Sequence, residues 1–222
     1  MTTDWLAGIL LTGGRSRRLG TDKARLVADP ATGETLAARG ARLLRTVCGG
    51  PVLEAGDGVS GLPPVREQPP GAGPLAALAA AGAELRARGH HGPALLLAVD
   101  MPGVDEALLR FLAAWPGEPT VVPRAGGRLQ PVCARYGADA MLAAESMVVA
   151  GLRPFRHLLD VVEHDVVDEA AWGAVTTGDP FADVDTPEDA ARHGIVVPDP
   201  PDRPDRPDAR HRRRLDDLPE AP

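Results

Sequence analysis

Short apolar runs alternate with stretches of helical periodicity along the chain. Residues 6–11 ("LAGILL") and 92–102 ("GPALLLAVDMP") are apolar almost without interruption, which favours strands buried on both faces of a parallel sheet. Residues 34–47 instead space their leucines and a valine at near-helical intervals. This alternation of strand and helix predicts an α/β fold with a doubly wound sheet, whose ligands bind at the carboxyl ends of the strands.

The same pattern continues to residue 194. It predicts further strands at 51–55, 119–123, 130–136 and 161–167, a loop at 62–74, and helices from that loop to about residue 88 and at 104–115, 139–151 and 155–159. A last short helix is predicted at 186–194, with Thr186 as its N-cap, Pro187 at its first position and Gly194 at its end. We therefore expect one domain over residues 1–197.

The composition changes abruptly at Pro198. Residues 198–222 are dominated by Pro, Asp and Arg and contain almost no apolar side chains, so they cannot bury enough surface to fold. We expect a disordered tail. Its basic stretch at 210–214 is either part of this solvated tail or a contact for an acidic partner.

Charge and composition exclude several classes of protein. The net charge is −7 and aromatic residues are only 3% of the chain, which argues against a nucleic-acid-binding protein. Apolar runs are too short for a membrane helix, and the first one precedes the arginines, unlike a signal peptide. Cys48 and Cys133 match no metal or redox spacing, which indicates two reduced thiols in a cytoplasmic protein.

The first candidate site is the loop "GGRSRRLGTDK" at residues 13–23. Paired glycines after a strand, Gly13 and Gly14, let backbone N–H groups approach a phosphate closely, and the basic residues add positive charge. Lys23 is the only lysine of the chain. The loop contains neither a dinucleotide fingerprint nor a P-loop. The alternative is a plain strand–helix turn with solvated arginines.

Two acidic segments are candidates for metal binding or catalysis. Asp100 ends the predicted strand at 92–102, although it could instead cap the helix at 104. Asp183 and Asp185 lie in "FADVDTPEDA", and we expect them to face opposite ways, so that one faces a site. Turn formation and helix capping are the alternative for this segment.

A third candidate is the turn at Gly73-Pro74, which presents backbone donors and acceptors at the start of a helix. No competing chemistry is found. The six histidines show no zinc spacing, and no Gly-x-Ser-x-Gly nucleophile elbow is present.

In this order, the motifs resemble those of the molybdenum cofactor guanylyltransferase family of nucleotidyltransferases. The resemblance spans most of residues 5–194. The matching positions are Leu11-Thr12-Gly13-Gly14, Arg18-Leu19-Gly20, Asp22-Lys23, Gly73-Pro74-Leu75, Asp100-Met101-Pro102, Gln130-Pro131 and Asp183-Val184-Asp185-Thr186-Pro187-Glu188.

The chain departs from the family pattern at a few of these positions. Thr12 stands in place of the usual Ala, Asp183 and Asp185 in place of two asparagines, and Gln68 in place of an Asp before the Gly-Pro-Leu turn. Paired glycines at 13 and 14 favour a guanylyl over a cytidylyl enzyme within this resemblance.

The resemblance implies a Rossmann-like three-layer α/β sandwich. It also implies attack of an acceptor phosphate on the α-phosphorus of a nucleoside triphosphate, with one Mg²⁺ held by Asp100 and Asp185. The expected substrates are GTP and molybdopterin, with molybdoenzymes or cofactor-delivery proteins as further partners and a monomer or weak homo-oligomer as the assembly. CTP or another phosphate acceptor, or a relative that only binds nucleotide, are the alternatives.

The resemblance also implies a role for each residue. Gly13 and Gly14 would cradle the triphosphate, Arg18 would neutralise its β- and γ-phosphates, and Lys23 would act at the α-phosphate. Nucleotide contacts are further expected from Leu11, Thr12, Gln68, Gly73 and Asp100. Arg153 and Arg156 are expected to face the phosphate of the acceptor.

Overall fold

The order of elements in a computed structural model follows the predicted alternation. The structure describes residues 6–13, Leu19 and residues 21–198. Within these residues the strands are β1 (Ala7–Leu11), β2 (Val27–Asp29), β3 (Glu34–Thr35), β4 (Val52–Ala55), β5 (Pro64–Val65), β6 (Ala94–Ala98), β7 (Val121–Ala125), β8 (Arg128–Leu129), β9 (Cys133–Tyr136) and β10 (Asp165–Val167). The α-helices are α1 (Leu36–Val47), α2 (Pro74–Ala87), α3 (Glu106–Ala114), α4 (Ala138–Val149), α5 (Phe155–Leu159), α6 (Glu169–Trp172) and α7 (Pro187–Arg192).

The central sheet is mostly parallel. Its strand order is β10-β7-β9-β6-β1-β4-β5, with β8 added to β7 as an antiparallel hairpin. Strand β9 runs antiparallel to both of its neighbours, whereas β1 runs parallel to β4 and to β6. Because the chain builds outward from β1 first on one side and then on the other, the carboxyl end of β1 lies at the switch point where such sheets bind ligands.

Two apolar clusters, one on each face of the sheet, complete a three-layer sandwich. One cluster packs α2, α4 and α5 against the sheet, and the other packs α1, α3 and α6 against its opposite face. Ile9 on β1 is fully buried between Leu53 of β4 and Leu96 of β6. Apolar side chains on both faces of β1 and β6 explain the uninterrupted runs seen in the sequence.

A third cluster lies apart from these two layers. It is formed by Leu19, Ala24, Leu26, Leu36, Ala37, Val99, Val184, Ala190 and Ile195. Its members come from the segment after β1, the start of α1, the end of β6 and the last helix. The third cluster therefore joins segments that are far apart in sequence.

Local capping chemistry sets where several helices begin. The Thr35 hydroxyl accepts from Ala38 N at the start of α1, so the predicted helix at 34–47 begins at Leu36, and residues 34 and 35 pair with β2 instead. Helix α7 begins as predicted, with Thr186 as N-cap, Pro187 first and a capping box completed by Asp189. Helix α2 starts after Gly73, whose φ of +97° favours glycine.

The short elements β2, β5, β8 and α6 were not predicted. Each contains only two to four residues, too few to show a periodic pattern. The predicted domain over 1–197 and tail over 198–222 stay predictions, since residues 199–222 lie outside the described part of the chain. Both cysteines are free and buried. Across the described ranges, every helix is too short or too polar to cross a membrane.

Candidate functional site

Three charged side chains from distant parts of the chain meet at the carboxyl end of the sheet. The Lys23 ammonium lies 2.7 Å from Asp100 Oδ2 and 2.5 Å from Asp185 Oδ1. The lysine is 77 and 162 residues away from these partners in sequence. The structure thus brings together three of the residues that the sequence singled out.

A local structural feature positions each of the three charges. Lys23 begins a single 3₁₀ turn, Lys23–Arg25, which is capped by the Asp22 carboxylate accepting from Ala24 N at 3.0 Å. Asp100 follows β6 by two residues, and Asp185 precedes the N-cap of α7. These last two segments are joined directly, since Val184 N donates to Asp100 O at 3.0 Å.

The third cluster is the platform beneath these charges. Ala24 follows Lys23, Val99 precedes Asp100 and Val184 precedes Asp185 in the chain, and all three belong to that cluster. Ala24 and Val184 are at most 1% exposed. Packing of these apolar neighbours holds the polar groups at fixed positions on the surface above them.

The site carries one positive and two negative charges. The Lys23 side chain is only 11% exposed, against 25% for Asp100 and 51% for Asp185. Burial by itself lowers the pKa of Lys23, but the hydrogen bonds and charges of the two aspartates more than offset it, so the pKa lies above its ordinary value of 10.5. Lys23 is therefore a cation throughout the physiological range.

The two aspartates have the chemistry of a divalent cation site. Carboxylate oxygens from both converge on one point, at which the lysine ammonium now lies. In the part of the chain that the structure describes, no group of three or more His, Cys, Asp or Glu side chains forms a metal cluster. Mg²⁺ is commonly held by one or two carboxylates together with substrate phosphates, so the pair Asp100 and Asp185 fits that ion.

The structure shows which residues carry out the helix capping considered for both acidic segments. Asp105, not Asp100, caps α3, with its carboxylate accepting from Leu108 N at 2.8 Å. The capping of α7 is carried by Thr186 and Asp189, which leaves the Asp185 carboxylate to bind Lys23. These aspartates are therefore not the caps of the helices that follow them.

The expectation that Asp183 and Asp185 face opposite ways is wrong. Both are exposed, while Val184 between them is completely buried. Residues two apart in an extended segment share a side, so the apolar residue between the aspartates faces inward and both carboxylates face outward. Contact with Lys23 distinguishes Asp185 within this pair.

The end of β1 is bound tightly to its neighbours. Leu11 O accepts from Val99 N at 3.0 Å, and Thr12 N donates to Ala55 O at 3.2 Å. Gly13 is exposed, whereas Leu11 and Thr12 are at most 7% exposed. The Leu11 carbonyl and the Thr12 N–H are therefore both used within the sheet, and Gly13 is the first exposed residue after β1. Gly14 and Arg18 lie outside the described residues.

Gln68 and Gly73 lie on the loop that leads into α2. Gln68 is exposed, and its peptide bond to Pro69 is cis. Gly73 is half-buried and directly precedes the first residue of α2. In the described structure, neither of them takes part in the ion pairs of Lys23, so their expected contacts to a nucleotide stay predictions.

The two arginines expected at the acceptor differ in their surroundings. Arg153 donates to the carbonyls of Val148 and Leu152, both at 3.0 Å, and so closes the end of α4. Arg156 instead lines a cavity of about 340 Å³ together with Asp160 and His164. Arg153 is held by two backbone carbonyls, whereas Arg156 donates from Nε to His157 Nε2 at 3.5 Å and adjoins the cavity.

Sequence motifs did not identify one further residue of interest near this end of the sheet. Glu54 on β4 is completely buried and accepts from the Thr12 hydroxyl at 2.6 Å. The signal in the sequence was an acidic residue inside an otherwise apolar strand, "VLEA". The family that the sequence resembles usually has Ala at this position, which has no hydroxyl. In this chain the Thr12 hydroxyl has Glu54 as its partner.

Fold and site together define a class. A mostly parallel α/β sheet carries, at the carboxyl end of its strands, a lysine and two carboxylates suited to a phosphate-bound divalent cation. The chain belongs to the family with a MobA-like NTP transferase domain, whose family model matches residues 8–166. It is an enzyme of the nucleotidyltransferase type.

Curated relatives cover most of the chain. A protein of Opitutus terrae named "Probable molybdenum cofactor guanylyltransferase" is 38% identical over 161 residues, which is 69% of this chain and 77% of the relative. A protein of the same name from Chloroflexus aggregans is 34% identical over 67% of this chain and 73% of its own length.

Solved structures share the fold. The molybdopterin-guanine dinucleotide biosynthesis protein A of Archaeoglobus fulgidus superposes with a TM-score of 0.65 at 20% identity, covering 84% of this chain and 96% of that one. A Mycobacterium tuberculosis protein crystallised in complex with manganese superposes with a TM-score of 0.55 at 19% identity, covering 85% and 97%.

Proposed function

We propose that this enzyme transfers GMP from GTP to the phosphate of molybdopterin and releases pyrophosphate. The proposal rests on the family and on relatives named as guanylyltransferases of the molybdenum cofactor. The observation that carries it is the convergence of Lys23, Asp100 and Asp185 at the carboxyl end of the sheet.

Asp100 and Asp185 are the proposed ligands of Mg²⁺. When bound, this ion would neutralise phosphate charge and help to orient the triphosphate. Asp100 is the less exposed of the two, and it is the first-choice ligand because its segment ends the central strand β6. Neither Asp183 nor any histidine is needed for this arrangement.

Lys23 is the proposed residue at the α-phosphate. An ammonium is a compact charge with three donors, so it can neutralise charge at a crowded phosphorus where a planar guanidinium would not fit. Two of its three donors are directed at the carboxylates of Asp100 and Asp185, and the third would be available to a phosphate oxygen. Gly13, Gly14 and Arg18 are the proposed partners of the remaining phosphates, while Thr12, Gln68 and Gly73 are proposed near the base.

The chemistry is a substitution at phosphorus. An oxygen of the acceptor phosphate forms a bond to the α-phosphorus, the bond from that phosphorus to the bridging oxygen breaks, and pyrophosphate leaves with the electron pair. The protein contributes position and charge neutralisation rather than a covalent intermediate. Arg156 and Pro131 line the same cavity. Pro131 precedes Val132, whose carbonyl accepts from Ala98 N at the end of β6, so the cavity is connected to the strand that leads to Asp100.

We further infer a cytoplasmic location, where two buried thiols stay reduced, and delivery of the product to molybdoenzymes or cofactor-delivery proteins.

A triphosphate panel tests the proposal. Pyrophosphate release would be followed with GTP, CTP, ATP or UTP, each combined with molybdopterin or with a sugar phosphate, in the presence of Mg²⁺. We expect release with GTP and molybdopterin only. Turnover with CTP would assign a cytidylyltransferase, turnover with a sugar phosphate would assign a different acceptor, and GTP binding without turnover would assign a sensor.

Two variants refine the role of Lys23. Lys23→Ala is expected to lower kcat by about 10² to 10³, typical for loss of one group that stabilises transition-state charge, and Lys23→Arg is expected to rescue little of it. Arg25→Ala is the matched control, since Arg25 is an exposed cation on the same 3₁₀ turn. Near-normal turnover of Lys23→Ala would contradict the assigned role.

A further inference from the structure

Glu54 is a carboxylate inside the central sheet. It lies on β4 between Leu53 and Ala55, and none of its surface is exposed. Glutamate is among the residues most rarely buried in proteins, because removing its charge from water is costly unless hydrogen bonds replace the lost solvent. Its presence in this strand therefore calls for a specific set of partners.

Five donors surround this carboxylate. Oε1 accepts from the Thr12 hydroxyl at 2.6 Å, from Gly58 N at 2.8 Å and from Val59 N at 2.9 Å. Oε2 accepts from Ser60 N at 2.8 Å and from the Ser60 hydroxyl. Burial by itself raises the pKa of Glu54, but these donors lower it below the ordinary value of 4.5, so the group is ionised at neutral pH.

Through these bonds Glu54 joins two segments at the carboxyl end of the sheet. Thr12 is the first residue after β1, and residues 57–60 form the loop that follows β4. Gly56 allows this close approach, because a Cβ atom there would collide with the Thr12 hydroxyl oxygen. Val59 of the loop packs against the third cluster. The loop therefore has a defined position relative to Thr12.

The strand order places Glu54 and Asp100 on opposite sides of β1. Strands β4 and β6 flank β1 on opposite sides. Asp100, with its partner Lys23, follows the carboxyl end of β6, whereas Glu54 lies on β4. A nucleotide whose phosphates bind at Lys23 and whose remainder crosses the end of β1 meets Thr12 and the 57–60 loop next.

We infer that Glu54 is a positioning residue for nucleobase recognition. It holds Thr12 and the 57–60 loop in the arrangement that contacts the base, and the triphosphate is bound by the separate group of charges around Lys23. This role rests on the proposed function. Glu54 itself touches no ligand, because its oxygens are enclosed by protein donors.

Two ligands separate a positioning role from a general structural one. GTP presents both base and triphosphate, whereas inorganic tripolyphosphate presents only the charged part. For Glu54→Gln we expect the affinity for Mg-GTP to fall about tenfold, equal to about 1.4 kcal/mol, and the affinity for Mg-tripolyphosphate to change by less than about twofold. Isothermal titration calorimetry measures both. The glutamine keeps the shape but turns one acceptor into a donor facing Ser60 or Thr12.

Variants of the partner residue keep the test decisive if Glu54→Gln does not fold. Thr12→Val removes the hydroxyl that Glu54 accepts, and we expect the same selective loss of GTP affinity. Thr12→Ser retains the hydroxyl, and we expect it to recover most of the GTP affinity that Thr12→Val loses, with tripolyphosphate affinity the same in both variants. This pair isolates the hydrogen bond from the size of the side chain.

The inference is overturned if both ligands lose affinity equally in Glu54→Gln and Thr12→Val, which would show a purely structural role, or if neither loses affinity. Failure of the proposed function is seen separately. If the unmodified protein binds CTP in preference to GTP, the guanylyl proposal fails, and the role of Glu54 is then judged by the same criterion on CTP against tripolyphosphate.

Discussion

Lys23 is both the ion-pair partner of two aspartates and the residue proposed to act at the α-phosphate. Its ammonium lies between Asp100 and Asp185, at the point where the carboxylates would hold a cation. The apolar neighbours of all three charges belong to the third cluster, which limits how far any of them moves. A divalent ion held by these two carboxylates would compete with this ammonium for them.

Removal of this ammonium is expected to strengthen metal binding in the absence of nucleotide. For Lys23→Met we predict about tenfold tighter binding of Mn²⁺, equal to about 1.4 kcal/mol, because the competing charge is gone. Titration followed by the electron paramagnetic resonance signal of free Mn²⁺ measures it. Lys23→Arg, which keeps a cation, serves as the control, and equal affinity in all three proteins would refute the competition.

At the scale of elements, short helices and turns present the charged groups. The 3₁₀ turn Lys23–Arg25 is capped by Asp22, and the six-residue helix α7 is capped by Thr186 and Asp189. Asp185 N also donates to the Asp189 carboxylate, at 3.3 Å. Because these elements are short, their caps supply much of their local stability.

Loss of the α7 cap is expected to affect both stability and the site. Thr186→Ala should lower the free energy of unfolding by about 1 kcal/mol, the usual cost of removing an N-cap hydroxyl. Because the cap adjoins Asp185, we also expect weaker Mn²⁺ binding. Urea denaturation and metal titration measure the two effects, and Thr186→Ser should restore both. A stability loss with unchanged metal affinity would separate the cap from the site.

At the scale of the whole molecule, the carboxyl and amino ends of the parallel strands have different roles. The carboxyl end of the sheet carries Lys23, Asp100 and Asp185. At the amino end, Arg135 pairs in register with the first residue of β7. Its guanidinium donates to the carbonyls of Ala113, Trp115, Glu118 and Pro119, which ties the loop between α3 and β7 to β9.

Arg135→Met is therefore expected to affect stability without affecting the site. The variant removes the donor of four carbonyls, of which that of Ala113 is buried, so the free energy of unfolding should fall by about 3 kcal/mol. Chemical denaturation measures this change. The Mn²⁺ affinity of the folded variant should equal that of the unmodified protein. A change in that affinity would show that the amino and carboxyl ends of the sheet are coupled.

The two thiols report on the integrity of the core. Burial raises the pKa of both Cys48 and Cys133 to about 12, so at pH 8 both are protonated as well as shielded. Iodoacetamide at pH 8 is expected to label neither residue in the native protein and both after denaturation, as measured by mass spectrometry. Labelling of the native protein would indicate that a strand or α1 opens.

The sequence by itself determined the fold class, since apolar runs and helical spacing are local properties that each segment displays alone. It also determined Lys23, Asp100 and the Asp183–Asp185 segment as candidates, through residue type and order. Tertiary structure alone decided that Asp185 pairs with Lys23, that Asp105 and Thr186 do the capping, and that Glu54 joins Thr12 to a loop. These contacts depend on which strands lie side by side and which segments share a buried cluster. A local sequence pattern does not predict these contacts, because the partners are brought together only by packing of the whole sheet.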